Sequence, residues 1–242
     1  LEIFQASFLV NFLVSGGICL GLAIFMGMYF PSFEEKSQQN KSIVLRKRYW
    51  LYYLLTFLSG ARRQIFVVFA AFLMVEKFGY SVSEVTLLFL VNYAFNWLFA
   101  EKIGQLICRI GERRALTLEY TGLVFVFVAY GLVENATLAA CLYVIDHMFF
   151  ALAIGIKTYF QKIADPADMA SSAGVSFTIN HIAAVVIPAA LGLVWLWSHA
   201  LVFYFGAMFA FLSLIASQLI PRDPMRGKET NLTSANSLGY QT

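Results

Sequence analysis

The sequence predicts an all-α polytopic membrane protein with seven transmembrane helices. The 242-residue chain is 60% hydrophobic and only 13% charged, whereas a soluble domain is about half apolar and about a quarter charged. Seven separate apolar runs each reach the roughly 20 residues needed to cross about 30 Å of hydrocarbon. Lys and Arg gather in alternate connections between those runs, the asymmetry that membrane insertion produces. Every run is expected to be helical, because lipid offers the backbone no hydrogen-bond partner.

The first run covers residues 8–30 and carries Gly17 and Gly21 at the spacing of a helix-packing pair. Residues 31–48 follow as a basic cytoplasmic linker, polar in composition, with Lys36, Lys41, Arg46, Lys47 and Arg48. The second run, 49–75, holds Arg62 and Arg63 at its middle, too deep for either to snorkel easily. They read as an anion site or as a charge pair, with Gly60 as a place where the helix could break. The third run, 85–107, carries Asn92 and Asn96 four residues apart on one face, suited either to binding a solute or to joining helices.

A short basic hinge, residues 104–114, then turns the chain into an antiparallel hairpin with Arg109, Arg113 and Arg114. The fourth run, 115–133, is nearly free of polar groups apart from Glu119 near its inner end. The fifth, 138–161, places Asp146 beside His147, a carboxylate and an imidazole able to load and release a proton. Asp146 is equally suited to neutralising Arg62 or Arg63. Lys157 lies eleven residues further on nearly the same face, either at the mouth of a solute path or snorkelling with Lys162. The sixth run, 173–197, carries Asn180 and His181 before Pro188, and the small residues around that proline suit a kink and close helix contact. His181 is a candidate solute ligand or a histidine satisfied by a backbone carbonyl. The seventh run, 200–220, is clean, and residues 222–242 read as a disordered cytoplasmic tail.

Domain organisation is therefore a single helix (1–30), the linker (31–48), a six-helix bundle (49–221) and the tail (222–242). The positive-inside rule places the linker, the hinge and the C-terminus in the cytoplasm. A plasma membrane is expected, bacterial inner membrane in particular. The chain starts Leu1-Glu-Ile-Phe, with neither Met nor a signal-peptide pattern, which suggests that further sequence precedes it.

Several function classes are disfavoured. Seventeen Lys and Arg against twenty-four Phe is not a phosphate-binding composition, so no nucleic-acid partner is expected. Cys19, Cys108 and Cys141 lie in or beside apolar runs and imply neither a disulfide framework nor a metal, and no cofactor is expected. No HExxH or GxSxG pattern occurs, and Asp146, His147 and His181 are scattered, which argues against a membrane-embedded enzyme. An accessory or structural membrane subunit would show dry packing around Arg62 and no enclosed cavity.

The polar groups fall in the second, third, fifth and sixth runs, so four helices are expected to line something wet and two to face lipid. That allocation resembles the C-terminal half of a major facilitator superfamily transporter, whose first, second, fourth and fifth helices line the cavity. The hinge resembles that family's G-x-x-x-D-R-x-G-R-R: Gly104, Arg109, Gly111 and Arg113 match, Cys108 stands where the family has an acid, Glu112 stands where it has a base, and Arg114 follows directly. The resemblance covers about residues 49–221, with the first run and the linker similar to the family's sixth helix and central loop. It implies close helix packing at Gly104, a tight turn at Gly111, and hinge arginines that meet cytoplasmic carboxylates. It also implies a secondary transporter, symporter or antiporter, working by alternating access in the lipid bilayer with a missing N-terminal helical half or a second copy. The expected cargo is a small polar or anionic solute held by Arg62, Arg63, Asn92, Asn96, Lys157, Asn180 and His181, with Asp146 and His147 coupling its movement to protons.

Overall fold

The computed structural model describes residues 8–31 and 45–232. Most of the linker, including Lys36 and Lys41, and residues 233–242 of the tail lie outside the described residues. Among the described residues seven helices are long and apolar enough to cross a membrane. The first, α1 (Phe8–Tyr29), forms a unit by itself, and none of its described side chains is buried.

The second unit contains α2 (Lys47–Glu76), α3 (Val82–Ile110), α4 (Glu112–Leu132), α5 (Ala136–Ile163), α6 (Pro166–Trp195) and α7 (His199–Ser217). Several run past the apolar stretches that announced them. The hinge residues are helical on both sides of Gly111, which alone separates α3 from α4. Gly111 takes φ +84°, a conformation in which a side chain is strained. Local chemistry fixes other starts. Ser81 accepts from the Glu84 backbone N–H and Glu84 accepts in return from Ser81, a reciprocal cap on α3. Asn135 accepts from the Leu138 N–H at 3.0 Å to cap α5. Pro166 opens α6, where its missing N–H costs nothing.

Two spans depart from α-helical geometry in their interior. α2 is α-helical to Gln64, widens into a π-helix over Ile65–Ala70, and returns to α over Ala71–Glu76. α5 tightens into a 3₁₀ turn at Ala151–Ala153. α6 continues unbroken through Pro188, and α2 continues through Gly60, so the glycine does not break it. Gly60 instead marks where α2 crosses α6, since a Cβ there would stand 2.7 Å from Asn180 Oδ1.

The main core joins Phe66, Phe69 and Leu73 of α2 to Phe127 and Tyr130 of α4, Tyr143 of α5, Trp195 of α6 and Phe203 of α7. α4 and α7 meet closely, because Gly206 leaves room for the Phe127 ring and Gly131 for that of Tyr204. A second cluster at the basic end gathers Tyr49, Tyr52, Tyr53, Tyr120, Tyr159 and Phe160. The fourth and seventh spans are expected on the lipid side; within the bundle itself α3 and α6 are the least buried of the six and α2 the most. α4 and α7 gain their burial by packing on each other and on α2.

Both ends of the bundle are tied. At the basic end Arg46 donates to Asp168 at 3.0 Å, Tyr49 Oη donates to the same carboxylate at 3.2 Å, and Arg48 pairs with Asp165. The Asp168 carboxylate raises the Arg46 guanidinium above its usual value, so that side chain stays charged at any ordinary pH. Residues 221–232 do not behave as the disordered tail expected from their composition. They fold back on this end: Arg226 donates to the Ala164 carbonyl, Tyr159 donates to the Glu229 carbonyl, and Glu229 and Thr230 are buried. At the opposite end Lys77 pairs with Glu134 at 2.9 Å, and Trp195 Nε1 donates to Glu76 at 3.0 Å.

Candidate functional site

A cavity of about 720 Å³ opens along α2, α3, α5 and α6. Each helix turns one stripe toward it. On α3 the stripe is Phe89, Asn92, Tyr93 and Asn96, spaced at one helical face. On α2 it includes Tyr52, Thr56, Ser59, Arg63 and Gln64. α5 contributes Asp146, His147, Phe150 and Lys157, and α6 contributes Ser176, Asn180 and His181. Arg63, Asn92, Asn96, Asp146, His147, Lys157, Asn180 and His181 therefore border one space, drawn from residues up to 118 positions apart (Arg63 to His181: 181 − 63).

Their local partners differ. Asn92 is 2% exposed, and neither its Oδ1 nor its Nδ2 has a hydrogen-bond partner in the protein. Asn96 Nδ2 donates to the Asn92 backbone carbonyl at 3.1 Å, and Asn180 Nδ2 donates to the Ser176 carbonyl at 3.0 Å. His147 Nδ1 lies 3.1 Å from the Tyr143 carbonyl and His181 Nδ1 lies 2.9 Å from that of Phe177. In both rings a backbone carbonyl oxygen faces Nδ1, which leaves Nε2 as the ring nitrogen without that contact. Asp146 is buried, 3.8 Å from His147 Nδ1. The Arg63 guanidinium sits 5.9 Å from the centre of the Phe150 ring. Arg63 and Lys157 bring two basic side chains to the cavity against the one carboxyl group of Asp146.

Arg62 does not border this space. It points away, into the core, where it is 1% exposed. Its Nη1 stands 3.5 Å from Glu119 Oε1, and its guanidinium lies 4.5 Å from the centre of the Tyr120 ring. Its Nε donates to the Leu58 carbonyl at 3.3 Å. The partner of Arg62 is thus Glu119 on α4, a residue the sequence places near the end of an otherwise clean span. Asp146 lies only within electrostatic range of both. The pair is loose: Arg62 Nη1 and Nη2, both Glu119 oxygens and Tyr120 Oη make no protein hydrogen bond. Sequence reasoning also passed over the π-helical turn that follows the two arginines. Its residues, Ile65 to Ala70, are plain apolar ones and give no signal.

The hinge residues fall outside the cavity, at the basic end. Arg109 and Arg114 are exposed. Arg113 donates to Gln218 at 3.1 Å, a side-chain amide on α7's end rather than a carboxylate. Gly104 packs against nothing, since a Cβ there would meet open space, because α3 has no neighbour on that side. Glu112, the departure from the basic pattern, is buried and pairs with Lys162 at 2.7 Å, so Lys162 is an ion-pair partner. Among the described residues no group of three His, Cys, Asp or Glu could hold a metal ion. No protein-family model matches the chain, and no curated protein or solved structure matches it either.

Proposed function

We propose that this chain is part of a secondary active transporter that moves a small polar or anionic solute by alternating access, coupled to protons. The observation that carries the reading is the shared cavity, where four otherwise apolar helices each turn their polar stripe to one space. Ionisable groups at membrane depth are costly, and in transporters they mark the path of the cargo. Arg63 and Lys157 favour an anion, and Asp146 beside His147 is the candidate proton carrier. The lining helices α2, α3, α5 and α6 are the first, second, fourth and fifth of the six, the allocation of a major-facilitator-type C-terminal half. A second bundle, an N-terminal half or a second copy, would close the open side of the cavity. The basic end and the C-terminus then face the cytoplasm, in the inner membrane of a bacterium.

The test is proton flux in liposomes loaded with a pH-sensitive dye and carrying the complete protein. A panel of small organic anions and sugars should contain one class that drives proton entry. Asp146→Asn should lower that flux by at least about tenfold while the solute still binds. No solute-driven flux across the panel, or full flux in both Asp146→Asn and Arg63→Gln, would overturn the reading. The alternative of an accessory membrane subunit is favoured by one observation: Arg62 is packed in the core beside Glu119 and serves helix association rather than the cavity.

A further inference from the structure

We propose that the cavity selects a planar organic carboxylate that also carries an amide-type edge, a hydrogen-bond acceptor beside a donor. The proposal rests on the cavity being the solute site. Asn92 is its centre. A carboxamide buried to 2% exposure with both Oδ1 and Nδ2 unpartnered is out of keeping with the rule that buried polar groups find partners. The other two asparagine side chains of the cavity donate to carbonyls of their own helices, at 3.1 Å for Asn96 and 3.0 Å for Asn180. Asn92 alone of the three keeps both ends of its amide for something else. A carboxamide is matched by a group that offers an acceptor and a donor side by side, as asparagine matches the edge of a nucleobase.

The rest of the wall fits the same ligand. Phe89 and Tyr93 flank Asn92 on the α3 stripe, and their rings suit a flat body. Arg63 and Lys157 outnumber Asp146, so the cavity favours an anionic ligand. A cavity of about 720 Å³ lies within the range of small-molecule sites.

Three probes separate the contributions. Orotate has a planar ring, a carboxylate and an amide edge; benzoate lacks the edge; uracil lacks the charge. Calorimetry on the complete protein in lipid nanodiscs should show orotate binding at least about tenfold more tightly than either of the others. Asn92→Leu should bring orotate down to the benzoate level and leave benzoate within about twofold. Arg63→Gln should weaken orotate and benzoate by the same factor and leave uracil unchanged. Equal wild-type affinity for orotate and benzoate, or no orotate binding, overturns the inference without reference to any variant. So does an Asn92→Leu protein of normal melting temperature that loses both carboxylates equally. The transport reading fails separately: Asn92-dependent orotate binding without proton flux leaves the site and removes the transporter. Proton-coupled benzoate uptake indifferent to Asn92→Leu does the reverse.

Discussion

The two sides of α2 carry the same chemistry into opposite surroundings. Arg62 and Arg63 are consecutive, so about 100° of helix rotation separates them. One is sealed in the core against Glu119 and Tyr120, and the other borders the cavity and is exposed. The core side is crowded, with glycines on α4 and α7 filled by aromatic rings from the facing helix. The cavity side has unpartnered amide atoms and room between helices. The difference separates two settings that the sequence alone runs together: a charge packed inside the bundle and a charge that borders an open cavity.

Removing the counter-ion on the core side should break the comparison most sharply. Glu119→Leu leaves Arg62 buried and unpaired, and should cost about 3–5 kcal/mol of stability, read as denaturant unfolding in detergent. Adding Arg62→Met should recover most of that loss, because an apolar pair of similar volume suits a dry site. If Glu119→Leu unfolds like wild type, water reaches Arg62 and the two sides of α2 are alike.

Glycine substitutions provide the next contrast. In Gly206→Ala the new Cβ would stand 2.4 Å from the Phe127 ring, and overpacking of this kind should cost about 1–3 kcal/mol. In Gly60→Ala the Cβ meets the end of the Asn180 side chain at 2.7 Å. That amide can swing aside, so the loss in melting temperature should be the smaller of the two. Equal losses would mean that the α2–α6 crossing is as rigid as the α4–α7 contact.

The smallest effect on stability is expected at the exposed arginine. Arg63→Gln should change the unfolding free energy by no more than about 0.5 kcal/mol, and its consequences should be confined to ligand binding. A loss comparable with that of Glu119→Leu would place Arg63 in the scaffold as well.

The helices were legible because hydropathy over a span length is a strong signal, and α-helix is the only backbone solution available to each run. Their ends were less legible, since Glu84 and Arg109 are charged yet lie inside α3. The cavity residues stood out as charges and amides within apolar runs, and helical spacing put Asn92 and Asn96 on one face. What could not be read was which way each polar group turns. Glu119 looked like an end residue because Thr117 and the basic turn at Arg113 and Arg114 precede it, but the helix begins as early as Glu112. The folding back of residues 221–232 was hidden for another reason. Their polar composition suggests disorder, whereas their contacts, Arg226 to Ala164 and Tyr159 to Glu229, are with backbone carbonyls that a sequence does not display.

The wide turn at Ile65–Ala70 has a consequence for how such a chain can change over time. A π turn accommodates about one more residue than an α turn, so deleting a single residue there offers a smooth path back to regular helix. That deletion would rotate everything on one side of it by about 100° relative to the other. The aromatic contacts of Phe69 and Phe72 with Trp195 hold the far segment in place, so the rotation would fall on Arg62 and Arg63. Arg63 would leave the cavity wall in one genetic step with no substitution in the wall itself. Length variation in this turn, rather than replacement of lining residues, is then the simplest route by which descendants of this chain could acquire a differently lined cavity.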